Sequence, residues 1–216
     1  MLHCEKFDFM ANAAKSRSKT RIQREKTEEI LAAALEVFSK NGFRGSTINS
    51  IAAKTGMSTP SILYYFKDKE DIHQESLTRT LLLWIGPLNL MKDSADPVEE
   101  ICQYVRRKLE ISENFPRESR LFANAILVGV PRGREQIFDP LKSVFNAKII
   151  LIEQWIKAGK IARVDPHHLL YSIWATTQHY ADFEAQIDEL SHQPQIQLYK
   201  AADVHLTTMF TRFLSI

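Results

Sequence analysis

Residues 47–70, TINSIAAKTGMSTPSILYYFKDKE, decide the fold of the N-terminal part of this chain. Thr47 is a good helix N-cap, and Gly56 tolerates the left-handed conformation that ends a helix. Ser58 is a second N-cap, and Pro60 lies in the first turn after it, where its missing N–H costs little. The stretch therefore predicts two short helices joined by a sharp turn, which is a helix-turn-helix candidate.

Helices are also predicted on both sides of this motif. Upstream, an apolar stripe from Ile30 to Phe38 predicts a helix over about residues 24–41, which Asn41-Gly42 ends. Downstream, the second short helix of the motif ends near Phe66. No segment shows the alternation of apolar and polar residues that is typical of a strand. Apolar periodicity broken by Pro and Gly predicts further helices near residues 67–91, 97–114, 118–130, 134–158, 165–187 and 196–214. The expected fold class is all-α, with about nine helices.

The chain is expected to consist of three parts, and its charge is unevenly distributed along them. Residues 1–23 are expected to form a flexible basic arm, residues 24–69 a small helical unit and residues 70–216 a larger one. Residues 1–69 carry 12 Lys and Arg against 7 Asp and Glu, whereas residues 70–216 carry 16 against 19. The basic front end favours contact with a polyanion, although a merely solvated tail explains the charge about as well.

Composition excludes several classes of protein. The densest apolar run, Leu81 to Ile85, is five residues long, and no apolar run approaches the roughly 18 residues of a membrane span. The N-terminal stretch is polar and basic, so we expect no signal peptide and no membrane partner. Two distant cysteines, Cys4 and Cys102, form neither a disulfide framework nor a zinc site. A reducing, cytoplasmic setting fits these features best.

The second short helix of the motif carries the residue types that contact DNA. We expect Thr59, Pro60, Ser61 and Tyr64 to face outward and Ile62, Leu63 and Phe66 to face inward. Residues at the start of such a helix reach base edges in the major groove, and its amides and hydroxyls can take phosphate oxygens. The helix carries no Arg or Lys, so bidentate guanine readout is absent. A helical hairpin without function is the alternative when the motif is taken alone.

The wider pattern makes the interpretation more specific. The following residues occur in a fixed order along the first part of the chain: the apolar stripe Ile30–Phe38, Gly42-Phe43, Thr47, Ile51-Ala52, Gly56-Met57-Ser58, Ile62–Phe66 and Lys69-Glu70. This string closely resembles the N-terminal domain of TetR-family transcriptional regulators. The resemblance implies that Thr47 binds a phosphate, that Ser58, Thr59, Pro60 and Ser61 read the groove, and that Tyr64 and Tyr65 bind phosphates. It also implies that Lys69 anchors the fourth helix and that a homodimer binds a near-palindromic double-stranded DNA operator. From its place just after the motif, Lys69 is also expected to contact a backbone phosphate, as Tyr64 and Tyr65 are.

The C-terminal part resembles one subfamily, the regulators of pyrimidine-utilisation (Rut) operons. The resemblance rests on Trp84, Pro87-Leu88, Lys108–Glu110, Ser119–Phe122, Trp155, Asp165-Pro166 and Ile173–Phe183. It implies an effector-binding and dimerisation domain over residues 70–216, with Trp84 and Gln178 touching a nucleobase-like heterocycle. We add Phe122 and Trp174 to this candidate site. Ala125 departs from relatives that carry an acidic residue nearby, so the ring substituents of the effector stay open.

The helix predicted near 165–187 is apolar on two sides. Leu170, Trp174 and Gln178 share one side, which is expected to line a cavity, while Ile173 and Phe183 share the other, which is expected to pack on a partner chain. The Gln178 amide has the donors and the acceptor that pair with an N–H–C=O edge, and Trp84 offers a flat surface for a small ring.

Several alternatives stay open. Gln178, Trp84 and Trp174 fit an ordinary core, which would leave a DNA-binding protein with an unrelated effector or with none. His179 and Asp182 have the spacing of a metal pair but lack a third ligand, so no metal, catalytic residue or cofactor is expected. A cyclic-amide enzyme that uses these two residues is a remote alternative, because the sequence carries no activated Ser or Cys motif.

Overall fold

The computed structural model describes residues 20–130, 133–191 and 194–216, and in these ranges it contains helices and no strand. The all-α prediction is confirmed. The ten helices are α1 (Arg21–Asn41), α2 (Ile48–Thr55), α3 (Thr59–Tyr65), α4 (Lys69–Leu90), α5 (Pro97–Asn114), α6 (Pro116–Leu127), α7 (Arg134–Lys157), α8 (Pro166–Asp182), α9 (Glu184–Ser191) and α10 (Gln195–Leu214). None of these helices is long and apolar enough to cross a membrane.

Helix α1 begins three residues earlier than the sequence analysis predicts. Thr20 is its N-cap: the Thr20 hydroxyl accepts from the Gln23 backbone N–H at 3.2 Å, and Gln23 Oε1 accepts from the Thr20 N–H at 2.9 Å. This reciprocal pair is a capping box. The predicted arm is therefore wrong at its C-terminal end, because Arg21 is already helical; the rest of it, residues 1–19, lies outside the described residues.

The helix predicted over 165–187 is two helices, which makes ten rather than about nine. Phe183 leaves helical geometry, with φ −114° and ψ 28°, and separates α8 from α9. No Gly or Pro marks this break. It coincides with two contacts from α6, since Ser119 binds the Asp182 carboxylate and Arg120 binds the Ala181 carbonyl and Glu184.

Two apolar clusters form the core, and α4 belongs to both. The first cluster joins α1, α2 and α3 to α6, to Ile137 of α7 and to the first five turns of α4, and its α4 members include Ile72, Leu81 and Ile85. The second cluster joins α5, α7, α8 and α10, and it includes Leu88 and Met91 at the end of α4. The apolar core thus continues across the predicted boundary at residue 69, and α4 is packed against both halves of the protein.

Candidate functional site

The helix-turn-helix is built by local hydrogen bonds. Thr47 caps α2 because its hydroxyl accepts from the Ser50 N–H at 3.0 Å, and the Thr47 N–H in turn donates to Ser50 Oγ at 3.1 Å. Gly56 ends α2 in the left-handed region, with φ 65° and ψ 11°. Ser58 then caps α3 by accepting from the Ser61 N–H. The predicted caps and turn are confirmed at each of these positions.

Helix α3 presents a largely polar surface outward. Ile62 and Phe66 are buried, while Pro60, Ser61 and Tyr64 are exposed, Tyr64 by 71%. Leu63, which was expected to face inward, is 42% exposed. That expectation is wrong because α3 contacts the rest of the unit along one narrow stripe, which leaves the neighbouring apolar position outside it.

Thr59 is half-buried and is held by a residue that the sequence analysis missed. The Thr59 hydroxyl donates to Asn49 Oδ1 on α2 at 2.7 Å. Because the amide oxygen is taken, the two N–H donors of Asn49 remain available at the exposed end of the motif. The signal in the sequence was a polar Asn at the second helical position of α2, ten residues before Thr59.

Two tyrosines complete this surface. The Tyr64 and Tyr65 rings meet edge to face, with centroids 5.1 Å apart. Gln23 of α1 approaches the Tyr64 hydroxyl at 3.5 Å. The Tyr64 hydroxyl therefore lies beside α1.

Lys69 is directed into the protein rather than toward DNA. Its ammonium donates to the carbonyls of Phe43 and Ser46, each at 2.9 Å, and lies 4.2 Å from the centroid of the Phe43 ring. The anchoring role agrees with this geometry. The expected contact of Lys69 with a DNA phosphate does not agree with it, because the ammonium already contacts two carbonyl oxygens and the Phe43 ring. Lys69 ties the loop between α1 and α2 to the first residue of α4.

The second site surrounds Trp84 near the C-terminal end of α4. Trp84 is buried and contacts Phe122 of α6, with ring centroids 6.2 Å apart. Lys108 of α5 is 2% exposed, and its ammonium nitrogen lies 3.4 Å from the centroid of the Trp84 ring. The Lys108 side chain therefore covers the centre of one face of the Trp84 ring.

Asp182 of α8 is the acidic group of this region. Its Oδ1 accepts a hydrogen bond of 2.5 Å from the Ser119 hydroxyl. Burial raises the pKa of Asp182, and Ser119, Lys108 and Arg120 act in the opposite direction. Burial lowers the pKa of Lys108 well below its usual value, and attraction by Asp182 opposes that shift. The two groups influence each other without forming a direct ion pair.

Two buried polar atoms near Trp84 lack hydrogen-bond partners among the described residues. Trp84 Nε1 and Ser112 Oγ are buried and have no hydrogen-bond partner. Ser112 lies one turn beyond Lys108 on the same face of α5. Buried polar groups in native proteins are nearly always paired, so these two groups are candidates for contact with a ligand.

The other two predicted site residues, Trp174 and Gln178, lie on α8 about two turns and one turn before Asp182. Trp174 Nε1 donates to the Tyr104 hydroxyl at 2.7 Å, and the Trp174 ring packs among Phe145 and Tyr171. Trp174 thus belongs to an aromatic cluster between α5, α7 and α8. Gln178 lies one helical turn from Trp174 and one from Asp182. It is half-buried, and its amide bonds to none of the described residues.

Comparisons with known proteins agree with this arrangement. Residues 30–75 match the family model of the bacterial regulatory proteins of the tetR family, and residues 77–215 match the YcdC-like protein C-terminal region. The chain belongs to the TetR family. The HTH-type transcriptional regulator RutR of Escherichia coli K12 is 40% identical over 166 residues, which cover 77% of this chain and 78% of RutR. This TetR-family chain is therefore a transcriptional regulator with a helix-turn-helix.

Solved structures show the same fold. The ketosteroid transcriptional regulator KstR2 of Mycobacterium tuberculosis superposes with a TM-score of 0.73 at 18% identity, covering 88% of this chain and 95% of KstR2. AibR in complex with isovaleryl coenzyme A and operator DNA gives a TM-score of 0.69 at 17% identity, covering 82% of this chain and 96% of AibR. At such identities the likeness concerns the fold alone.

The TetR-family structure also separates the two members of the considered metal pair. His179 is exposed and stacks on Phe183, with ring centroids 4.8 Å apart, whereas Asp182 turns inward to Ser119. Within the described residues, no group of three or more His, Cys, Asp or Glu side chains could hold a metal ion. The sequence analysis names Lys108 and Ser119 only within the resemblance and not as candidate site residues, and it names neither Asn49 nor Ser112.

Proposed function

We propose that this TetR-family chain is a homodimeric repressor that binds a near-palindromic DNA operator and releases it when a small heterocycle occupies the site beside Trp84. The observation that carries the proposal is the path of α4. At its first residue, Lys69 holds the loop that precedes α2; about four turns later, Trp84 faces the unsatisfied polar cluster. One helix therefore joins a DNA-facing element to a ligand-facing one.

The DNA-binding part of the proposal rests on α3. Its exposed side chains include Pro60, Ser61 and Tyr64, and the exposed Ser58 caps its N-terminus. We assign groove reading to residues 58–61, and phosphate contacts to Thr47, Tyr64 and Tyr65. Phosphate contacts fix position, whereas hydroxyls and apolar groups on α3 select bases. The fold neighbour AibR was solved with operator DNA, which supports the same use of this fold.

The dimer part rests on apolar side chains that α8 and α10 leave exposed. Tyr171 of α8 and Phe183, just after the end of α8, are about half exposed, and Ile196, Val204 and Phe213 of α10 are exposed by 56% to 67%. Ile173, expected to face a partner, is instead fully buried within the chain, because α8 packs on α5 along that side. We propose that the remaining exposed faces of α8 and α10 meet their copies in a four-helix contact. Two-fold symmetry then implies a near-palindromic operator.

The effector part rests on the resemblance to pyrimidine-utilisation regulators together with the Trp84 cluster. Phe122 and Trp84 supply flat apolar walls, and the free amide of Gln178 lies at helical spacing between Trp174 and Asp182. We assign these four predicted residues to the effector-binding domain, residues 70–216. A ligand releases DNA only if it binds the DNA-incompetent arrangement of α4 more tightly.

We also propose that the chain acts in the cytoplasm and is not an enzyme. Its relatives are named as transcriptional regulators, and the outward His179 has no geometry for work on a ligand beside Asp182. The alternative function is DNA binding without an effector. It would require the unpaired Trp84 and Ser112 groups to stay unpaired in the working protein.

Selection from a random duplex library with the purified full chain tests this function. Sequencing is expected to return a near-palindromic motif, and added uracil is expected to lower the fluorescence anisotropy of the selected duplex. The triple variant Thr59→Ala, Ser61→Ala, Tyr64→Ala should lose selection while keeping its melting temperature. Enrichment of no motif would contradict the DNA-binding proposal. Enrichment without any effect of uracil would favour the effector-free alternative.

A further inference from the structure

We propose that Asn49 of α2 reads a guanine of the operator, in the major groove beside the bases that α3 contacts. Its amide presents donors outward because Thr59 holds the amide oxygen, and guanine is the base whose major-groove edge offers two neighbouring acceptors. This inference rests on the proposed function, which places α3 in the groove. It adds a specificity-determining residue and the base that this residue selects.

Asn49 lies at the end of the motif that meets the groove. It is the second residue of α2, it is exposed, and its amide oxygen lies 2.7 Å from the hydroxyl of Thr59, the first residue of α3. Pro60 and Ser61, which follow Thr59, are exposed as well. Residues at the start of a recognition helix reach base edges, so a side chain bonded to that start lies beside the neighbouring base pair.

The hydrogen bond with Thr59 fixes which end of the Asn49 amide faces outward. The Thr59 hydroxyl donates to Asn49 Oδ1, and the start of a helix carries a partial positive charge, which favours an oxygen there over an NH2 group. The amide nitrogen of Asn49 donates to none of the described residues. Both of its N–H groups are therefore free to contact DNA.

An amide that offers only donors selects a different base from an amide that is free to turn. A free asparagine contacts adenine at two atoms, since its oxygen accepts from N6 and its nitrogen donates to N7. Here the oxygen is held toward Thr59, so the N6 donor of adenine would meet the N–H groups of Asn49. Guanine offers N7 and O6, which both accept, whereas cytosine offers a donor and thymine offers one acceptor beside a methyl group. We therefore expect guanine to be the preferred base.

The motif itself supplies no free cation that would compete for this guanine. Residues 47–66 contain a single Lys or Arg, which is Lys54, and its ammonium is paired with Glu36 of α1. Arginine and lysine make the commonest contacts with guanine, so their absence from α3 leaves this base to a neutral donor. Asn49 is a neutral donor, and its position on α2 extends the reading surface by one side chain.

Random-duplex selection with the full chain and four variants tests the inference. In the wild-type motif we expect one guanine in each half-site that Asn49→Ala no longer enriches, while the other positions keep their preference. Asn49→Asp keeps an acceptor for Thr59 but has no donors, so it should turn the preference at this position to adenine or cytosine. Thr59→Val releases the amide and should admit adenine, whereas Thr59→Ser keeps the hydroxyl and should keep guanine.

Fluorescence anisotropy measures the size of the effect. Duplexes that carry guanine or adenine at this position should differ about tenfold in Kd for the wild type and less than about twofold for Asn49→Ala. Lys54→Met is the matched control, because it changes an exposed side chain at the other end of α2. It should change the affinity for both duplexes equally and leave their ratio as in the wild type.

Three results would overturn the inference. Unchanged selection by Asn49→Ala would show that the guanine is read by another residue. An equal loss of affinity for both duplexes in Asn49→Ala would indicate a phosphate contact, and an adenine at the Asn49-dependent position would indicate the opposite orientation of the amide. Each of these results leaves the DNA-binding function standing, because a motif is still selected. Failure of the wild-type chain to select any motif would instead contradict the proposed function, and this inference with it.

Discussion

The ammonium nitrogen of Lys108 lies 3.4 Å from the centroid of the Trp84 indole ring, and both side chains are buried. This contact joins α5 to α4. Fifteen residues earlier on α4, which is about 22 Å along the helix axis, Lys69 binds the carbonyls of Phe43 and Ser46. A ligand that draws Lys108 away from Trp84 therefore acts on a helix whose other end holds the helix-turn-helix.

Replacing Lys108 with Met should make the free protein more stable. Burial of a cation without a hydrogen-bonded partner is unfavourable, and Met fills a similar volume without the charge. We expect the free energy of unfolding at about pH 7 to rise by about 1–3 kcal/mol, measured by urea denaturation. Lys142→Met is the surface control, with an expected change within about 0.5 kcal/mol. A clear loss of stability in Lys108→Met would show that the cation supports the fold.

His73 should make the protein less stable in acid. Its ring packs edge-on against Phe38 at 4.9 Å and beside Phe43 at 4.8 Å, and burial, with Lys69 second, lowers the pKa of His73 to about 4. Glu70 opposes this shift. The unfolded chain binds a proton near pH 6.5 and the folded chain only near pH 4, so stability falls as pH falls through that window.

The measurement for His73 compares two proteins at two pH values. Between about pH 7 and pH 4.5 the His73 contribution to the free energy of unfolding should fall by roughly 2–3 kcal/mol. His73→Phe keeps an aromatic ring beside Phe38 and cannot titrate, so its urea midpoint should fall less over the same range. Identical pH profiles for the two proteins would contradict the shifted pKa.

The parts of this molecule that the sequence predicts well are those fixed by neighbours in the chain. Thr47, Gly56 and Ser58 act through hydrogen bonds and backbone angles within four residues, so their roles follow from local rules. The Thr20–Gln23 capping box has the same local origin, so it also follows from the sequence pattern around the start of α1.

The effector region could be predicted only in part, because its geometry depends on four helices. Trp84 was identified, but the burial of Lys108 depends on contacts with α4 and α8, and lysine is ordinarily exposed. The available signal was that Lys108 and Ser112 occupy the apolar stripe of α5. The helix break at Phe183 could not be predicted from the local sequence either, because the α6 side chains that contact its neighbours are more than 60 residues away in sequence.

Lys69→Met should loosen the attachment of the helix-turn-helix to α4. It removes two charge-assisted hydrogen bonds to the loop between α1 and α2, and the change should cost about 1–3 kcal/mol of unfolding free energy. We expect operator affinity in the anisotropy assay to fall about tenfold. The matched control is Lys67→Met, which removes the same charge from an exposed side chain two residues away. Equal loss of affinity in both variants would indicate a simple charge effect.

Asn49 and Thr59 should act as a coupled pair in operator binding. The Thr59 hydroxyl fixes the Asn49 amide through the 2.7 Å hydrogen bond, so either Asn49→Ala or Thr59→Val should disturb the same DNA contact. In a double-mutant cycle on operator affinity, we expect a coupling energy of about 0.5–1.5 kcal/mol. The pair Asn49→Ala and Tyr64→Phe, which share no contact, should be additive. Additivity in both cycles would remove Asn49 from the DNA-binding surface.

Val204→Glu should separate the dimer. Val204 is 67% exposed in the middle of α10, within the face that we assign to the partner chain, and a buried carboxylate there would face its own copy across the two-fold axis. Light scattering coupled to size exclusion should give the mass of a single chain, and operator affinity should fall because one chain reaches one half-site. Leu82→Glu is the control, since Leu82 of α4 is 64% exposed and lies outside that face. Dimers in the Val204 variant, or monomers in the Leu82 variant, would place the interface elsewhere.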